Sequence, residues 1–221
     1  MKKIDIDDAL KPEAMDAETW QQLTAVSECY VCSIGERLHE AGTRDDRLII
    51  VLSGLVSMNR EIDGKDQRSG LMKRPGEVLA SASLHLDVPK LYSNVIDSDR
   101  AIILVTQKVD VLTLYETCPA FAYFMLQHLS DQVMRALNYI LVDREMDAEK
   151  RVAYRLEVIH AQRGAVALTQ SEIANVAGTS RATVSKTLTI LEGEGIISRK
   201  YGEIVVLEAE RLKHWATELA S

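Results

Sequence analysis

Apolar and polar positions change rhythm several times along this chain. From Cys29 to Lys108 the apolar residues fall in short alternating runs, broken by the turn signals Gly35, Gly42, Gly54, Asp63-Gly64 and Pro75-Gly76. Two runs, Leu48–Leu52 and Ala101–Val105, are apolar without interruption, as strands buried on both faces are. Many short strands at regular spacing predict a jelly-roll or sandwich, with Asp63-Gly64 as a hairpin turn. Ahead of it, Ala17–Leu23 is an amphipathic helical segment whose Trp20 and Leu23 are expected to dock on that domain.

After Thr117-Cys118-Pro119 the period becomes helical. Thr117 or Cys118 can cap the helix, with Pro119 near its first position. Ala122, Leu126, Leu129, Val133, Ala136 and Ile140 follow at alternating spacings of four and three, a heptad seam suited to pairing two copies. A second set, Phe121, Phe124, Met125, Leu137 and Leu141, is expected to cover the β-domain. Residues 143–147 read as a charged hinge, and Glu149–Gln162 as a helix with Val152, Leu156 and Ile159 inward, ending at Gly164.

Leu168–Val206 holds the densest local signals. Thr169 with Glu172 three residues on is a capping box, and Ile173, Ala174 and Ala177 give that helix a small apolar face. Gly178 turns the chain, and Ser180 caps a second helix with Val184, Leu188 and Leu191 on one side. Arg181, Thr183, Ser185 and Lys186 are left for the other side or its edges, a donor-rich surface suited to the major groove. Gly193 and Gly195 break the helix, and Ile196–Val206 alternates like two strands around Lys200-Tyr201-Gly202. This predicts a winged helix-turn-helix with Arg199 and Lys200 near the DNA backbone.

Charge adds one qualification. The net charge is −7, but from Glu149 onward 10 basic residues face 9 acidic ones, so the acidity lies in the first 148 residues. A nearly neutral DNA-binding part predicts modest non-specific affinity. No apolar run reaches the ~20 residues of a membrane span. The start, Met1-Lys2-Lys3-Ile4-Asp5, has no signal-peptide core, so a cytoplasmic protein without membrane association is expected.

The run from Thr169 to Ile197, T-x-x-E-I-A-x-x-x-G-x-S-R-x-T-V-S-K-x-L-x-x-L-E-x-x-G-I-I, resembles the C-terminal domain of the CRP/FNR family of bacterial transcription regulators. The similarity extends from about Trp20 to the C-terminus. It implies an α+β fold: residues 1–116 a β-roll sensor like a cyclic-nucleotide-binding domain, 117–146 a dimerisation helix, 147–221 a winged helix-turn-helix. It further implies a homodimer on an inverted repeat of double-stranded DNA, with RNA polymerase as a further partner. By that resemblance Arg181 and Lys186 reach guanines, and Thr169, Gln170 and Ser180 position phosphates. Ala182 stands where the family has a glutamate that reads cytosine, so the half-site should depart from TGTGA.

The sensor half departs from the family's nucleotide cassette. Ser81 stands where a second glutamate would hold the ribose, and Leu91 or Tyr92 replaces the arginine of the Arg-Ser pair. Without that fork a cyclic phosphate loses its cradle, so no cAMP or cGMP binding is expected. Cys29, Cys32 and Cys118 are too few for the four-cysteine iron–sulfur branch, and Cys29 and Cys32 on a strand would point to opposite faces. The Glu116–Ala120 segment resembles a haem-sensing branch, but that branch's ligand positions align with Ala80 and Ala82, and His85 is off register as a lone loop histidine. No haem or cluster is therefore expected. Lys90–Asn94 is similar to the corresponding stretch of haloaromatic-sensing regulators, which makes Ser81, Lys90 and Tyr92 candidates for a small acidic effector. The alternatives are control through the three thiols, or a constitutively active regulator. Catalysis would need clustered histidines and carboxylates; His39-Glu40 is the single such pair in the roll, so no catalytic or metal site is expected.

Overall fold

The computed structural model describes every residue except Asp45, Asp63, Gly64, Ala80, Ala165, Tyr201 and 218–221. The Asp63-Gly64 turn, the Ala80 position and the Tyr201 turn residue therefore lie outside the described residues. In chain order the elements are β1 (Lys2–Ile4), α1 (Ala17–Ala25), β2 (Ser27–Ser33), β3 (Arg37–His39), β4 (Arg47–Ser53), β5 (Val56–Ile62), β6 (Lys65–Lys73), β7 (Val78–Leu79), α2 (Ser81–Leu86), β8 (Ser93–Ile96), β9 (Arg100–Gln107), α3 (Lys108–Thr117) and α4 (Pro119–Glu145). Then come α5 (Ala148–Arg163), α6 (Gln170–Val176), α7 (Arg181–Gly193), β10 (Ile197–Lys200), β11 (Glu203–Val206) and α8 (Ala209–Thr217). The chain divides into two compact units, Met1–Arg68 with Met72–Met134, and Ser69–Leu71 with Arg135–Ser221.

The first unit is built on two antiparallel sheets, ordered β1-β2-β9-β4-β7 and β3-β8-β5-β6. The uninterrupted apolar runs have a simple cause: the larger sheet is buried on both faces. Leu48, Ile50, Leu52 and Leu104 enter one core with Trp20 and Leu23 of α1 and with Phe121, Phe124 and Met125 of α4. Their neighbours Ile49, Val51, Ala101, Ile103 and Val105 enter a second core with Val56 and Ile96 of the smaller sheet. The period-two geometry of a strand divides each run between the two cores. Gly54 makes the β4–β5 turn at φ +84°, where an added Cβ would sit 2.6 Å from the Arg100 carbonyl oxygen.

Local signals set the helix ends. Asp16 caps α1 by accepting from Thr19 N–H at 2.7 Å, and Asp147 caps α5 by accepting from Lys150 N–H at 2.9 Å. Helix α4 starts at Pro119, directly after Cys118. It runs unbroken to Glu145, so most of the expected hinge is helical and the break falls at Met146-Asp147. Phe121, Phe124 and Met125 in its first two turns enter the core of the first unit, and Val142 near its other end is buried as well. Leu137 and Leu141, expected to cover the β-domain, are 47% and 50% exposed. Helix α7 likewise includes Gly193, and the left-handed turn is made by Gly195 at φ +70°. His85 belongs to α2 rather than a loop, with its ring nitrogens bonded to Ser81 O and Tyr115 Oη.

Candidate nucleic-acid interface

The second unit's core gathers Val152, Leu156 and Ile159 of α5, Ile173 and Ala174 of α6, and Val184, Leu188 and Leu191 of α7. The capping box at Thr169 is complete: Glu172 N–H donates to Thr169 Oγ1 at 3.2 Å, and Thr169 N–H to Glu172 Oε2 at 2.8 Å. Gly178 turns the chain at φ +57°. Ser180 Oγ then accepts from Thr183 N–H at 3.1 Å and opens α7.

Each α7 residue advances the helix by about 100°. Val184, Thr187, Leu188 and Leu191 consequently share the buried side, while Ala182, Lys186 and Thr189 are exposed on the other, Arg181 is exposed at the N-terminal end, and Thr183 and Ser185 are half-buried at the edges. Thr169 and Ser180 are exposed and Gln170 is half-buried. The strands β10 and β11 pair antiparallel from Ile197↔Val206 to Lys200↔Glu203, and Arg199 and Lys200 are exposed on the first of them.

Two of the cations have partners within the unit. Lys186 Nζ lies 2.6 Å from Glu149 Oε1, and that hydrogen bond holds the lysine pKa above its usual value. Arg199 Nε donates to Glu192 Oε2 at 2.7 Å, and Arg199 N–H to Glu192 Oε1 at 2.9 Å, which lowers the glutamate pKa. Sequence reading also missed Arg151. Its guanidinium donates to Met146 O at 2.8 Å, Ala177 O at 3.1 Å and Gly178 O at 3.3 Å, tying the turn before α7 to α5. Ala177 and Gly178 are too far from Arg151 in sequence for any local pattern to reveal the contact.

In the first unit a cavity of about 210 Å³ lies against α2, β8 and α4. Ser81, Lys90 and Tyr92 all line it, together with Lys73, Asn94 and Gln132. Lys90 and Lys73 are buried, Tyr92 is half-buried, and Leu91 at the rim is exposed. Ser81 Oγ is buried without a hydrogen-bond partner among the described residues. The described lining holds two lysines but no arginine and no carboxylate.

The three cysteines are buried and unpaired. Cys29 and Cys32 enter different cores on opposite faces of the larger sheet. Burial raises the Cys29 pKa and pushes that of Cys32 up to about 11. Cys118 Sγ donates weakly to Thr19 Oγ1 at 3.9 Å. Among the described residues no group of three histidines, cysteines or carboxylates is placed to hold a metal. No helix is long and apolar enough to cross a membrane.

Residues 150–215 match the Crp-like helix-turn-helix domain. The chain is 32% identical over 190 residues to the cyclic AMP receptor protein of Thermus thermophilus, covering 84% of this chain and 87% of that one. It also resembles the crystal structure of the Thermus thermophilus catabolite activator protein, with 26% identity, a TM-score of 0.51, and 94% and 98% of the two chains covered. The c-di-GMP-responsive global regulator CLP of Xanthomonas campestris shares the fold at a TM-score of 0.72 and 17% identity, over 86% and 99% of the chains. A β-roll, a long helix and a capped helix-turn-helix with its wing thus meet a relative that aligns over most of both chains: the chain belongs to the CRP/FNR family of DNA-binding transcription regulators, which are not enzymes.

Proposed function

We propose that the protein regulates transcription as a homodimer on an inverted repeat, controlled by a small molecule other than a cyclic nucleotide. The observation that carries this reading is the pair of exposed faces on α4 and α7. Leu126, Val133 and Ile140 of the seam are all more than half exposed in a single copy, and Ala136 is exposed beside them, with Ala122 and Leu129 half-buried. An apolar stripe of that length on a soluble surface calls for a partner, and a second copy supplies a matching stripe. Two-fold pairing would then offer two α7 faces to successive major grooves.

On α7, Arg181 would read a guanine with its planar fork, and Lys186 a guanine or phosphate as a point charge. Ala182, without a carboxylate, would favour a thymine methyl over cytosine. Thr169, Gln170, Ser180, Thr183 and Ser185 would position phosphates, and Arg199 and Lys200 would serve the flanking backbone. RNA polymerase is the further partner of such a regulator, and the cytoplasm its compartment.

The effector belongs in the cavity bounded by Ser81, Lys90 and Tyr92. Two buried amines and an unpartnered hydroxyl suit a small acid, while the lack of arginine and carboxylate in the described lining disfavours a cyclic nucleotide. Coupling of ~1–3 kcal/mol to DNA binding is sufficient for a switch. Thermal-shift and DNA-affinity measurements with aromatic carboxylates, phenols and cAMP test this. A carboxylate or phenol should stabilise the protein, and Lys90→Ala should abolish the effect; stabilisation by cAMP alone would contradict it.

The second reading, control by thiols, has less support. Thiols with raised pKa values react slowly at neutral pH, and Cys29 and Cys32 point away from each other. A DNA affinity unchanged by reductant is expected.

A further inference from the structure

Lys186 is one of the cations that the exposed side of α7 offers to a groove, and in the protein without DNA it is already engaged. Its ammonium donates at 2.6 Å to Glu149 Oε1. Glu149 sits in the first turn of α5, where the positive end of the helix also favours a carboxylate. That carboxylate has no other hydrogen-bond or ion-pair partner among the described residues. The wing pair is different in kind. Glu192 holds both the backbone N–H and the guanidinium of Arg199, so it shapes the wing as well as balancing the charge. Among the described residues Arg181 and Lys200 take part in no ion pair.

A lysine ammonium is a compact point charge that trades one anion for another with little geometric penalty. To contact DNA, Lys186 must leave Glu149 for a phosphate or a guanine edge. The carboxylate then stands close to the anionic duplex and is repelled by it. We propose that Glu149 sets DNA affinity downward: it occupies Lys186 in the free protein and competes with the nucleic acid for it. This rests on α7 being the DNA-contacting helix. It also accounts for the pairing of a recognition-helix cation with an otherwise unpartnered acid.

The test uses the full chain and a labelled random-sequence duplex, with binding followed by fluorescence anisotropy over a salt series. The proteins compared are the wild type, Glu149→Gln, Lys186→Gln and the double variant. Lys186 is 68% exposed and Glu149 about one-third, so neither change opens a core; circular dichroism checks this. Glu149→Gln should tighten binding about two- to five-fold at low salt, the range set by an exposed ion pair. It should also steepen the slope of log K against log salt by about 0.9, one further phosphate neutralised. On the Lys186→Gln background the same substitution should gain clearly less. Unchanged or weaker binding by Glu149→Gln, or an equal gain with and without Lys186, overturns the proposal. If the wild type and every variant fail to bind duplex, the assignment of α7 itself fails, and the role of Glu149 with it.

Discussion

Arg181 and Lys200 both carry an exposed positive charge, yet they should behave differently when removed. Arg181 begins α7, the helix proposed to read the groove, so Arg181→Ala should cost about 1–3 kcal/mol at the operator and relax selection at one base pair. Lys200, on the wing, should weaken binding to all sequences alike and lower the salt slope by about one ion. Ala182→Glu should enrich cytosine at a single position in a binding selection from random duplexes. Gly54 is a purely structural case. With φ at +84° and the Arg100 carbonyl 2.6 Å from any added Cβ, Gly54→Ala should destabilise the first unit by more than about 1 kcal/mol, read from the urea midpoint. His128 sets a pH dependence. Burial, reinforced by Lys73 and opposed by Glu77 and Asp131, pushes its pKa down to about 4. An unfolded histidine titrates near 6.5, so the unfolded chain takes up the proton first as the pH falls. The resulting stability is present above about pH 6.5 and is lost as the pH drops towards 4. His128→Gln should lose less stability than the wild type over that window; equal losses would show that the ring is solvated.

At the level of elements, the seam on α4 is the most exposed commitment. Leu126 is 60% exposed in a single copy, so Leu126→Glu should leave the fold intact and act only on association. Sedimentation should give the mass of the 24.6 kDa protomer for the variant and twice that for the wild type. The elements that were legible in the sequence are those with local signals. The capping box at Thr169, the Ser180 cap and the Gly178 turn all lie within a few residues of what they control. The long apolar runs were legible because two buried faces demand them. What was missed has long-range causes. β1 is a polar Lys2-Lys3-Ile4 strand that exists because β2 has a free edge to pair with. α3 keeps Val109 and Leu112 exposed, so its apolar pattern does not mark one face. The interface had the same limit. Spacing alone left Arg181, Thr183, Ser185 and Lys186 to the polar side of α7 or its edges, and Ala182 was picked out only by the family resemblance. Arg151 at the turn and Glu149 beside Lys186 are joined to it only by folding.

For the whole molecule, charge and the proposed two-fold pairing decide what DNA binding should look like. The stretch from Glu149 onward is close to neutral, and Lys186 and Arg199 are partly neutralised by internal acids. Non-specific affinity should therefore be low, and specificity should depend on two half-sites engaged together. Selection of bound sequences from a random duplex pool by the wild-type protein tests that most directly. The enriched sequences should form an inverted repeat whose half-site centres are about 34 Å, one helical turn, apart. Enrichment of a single unrepeated half-site, or of no motif at all, would contradict a two-fold dimer presenting paired α7 helices.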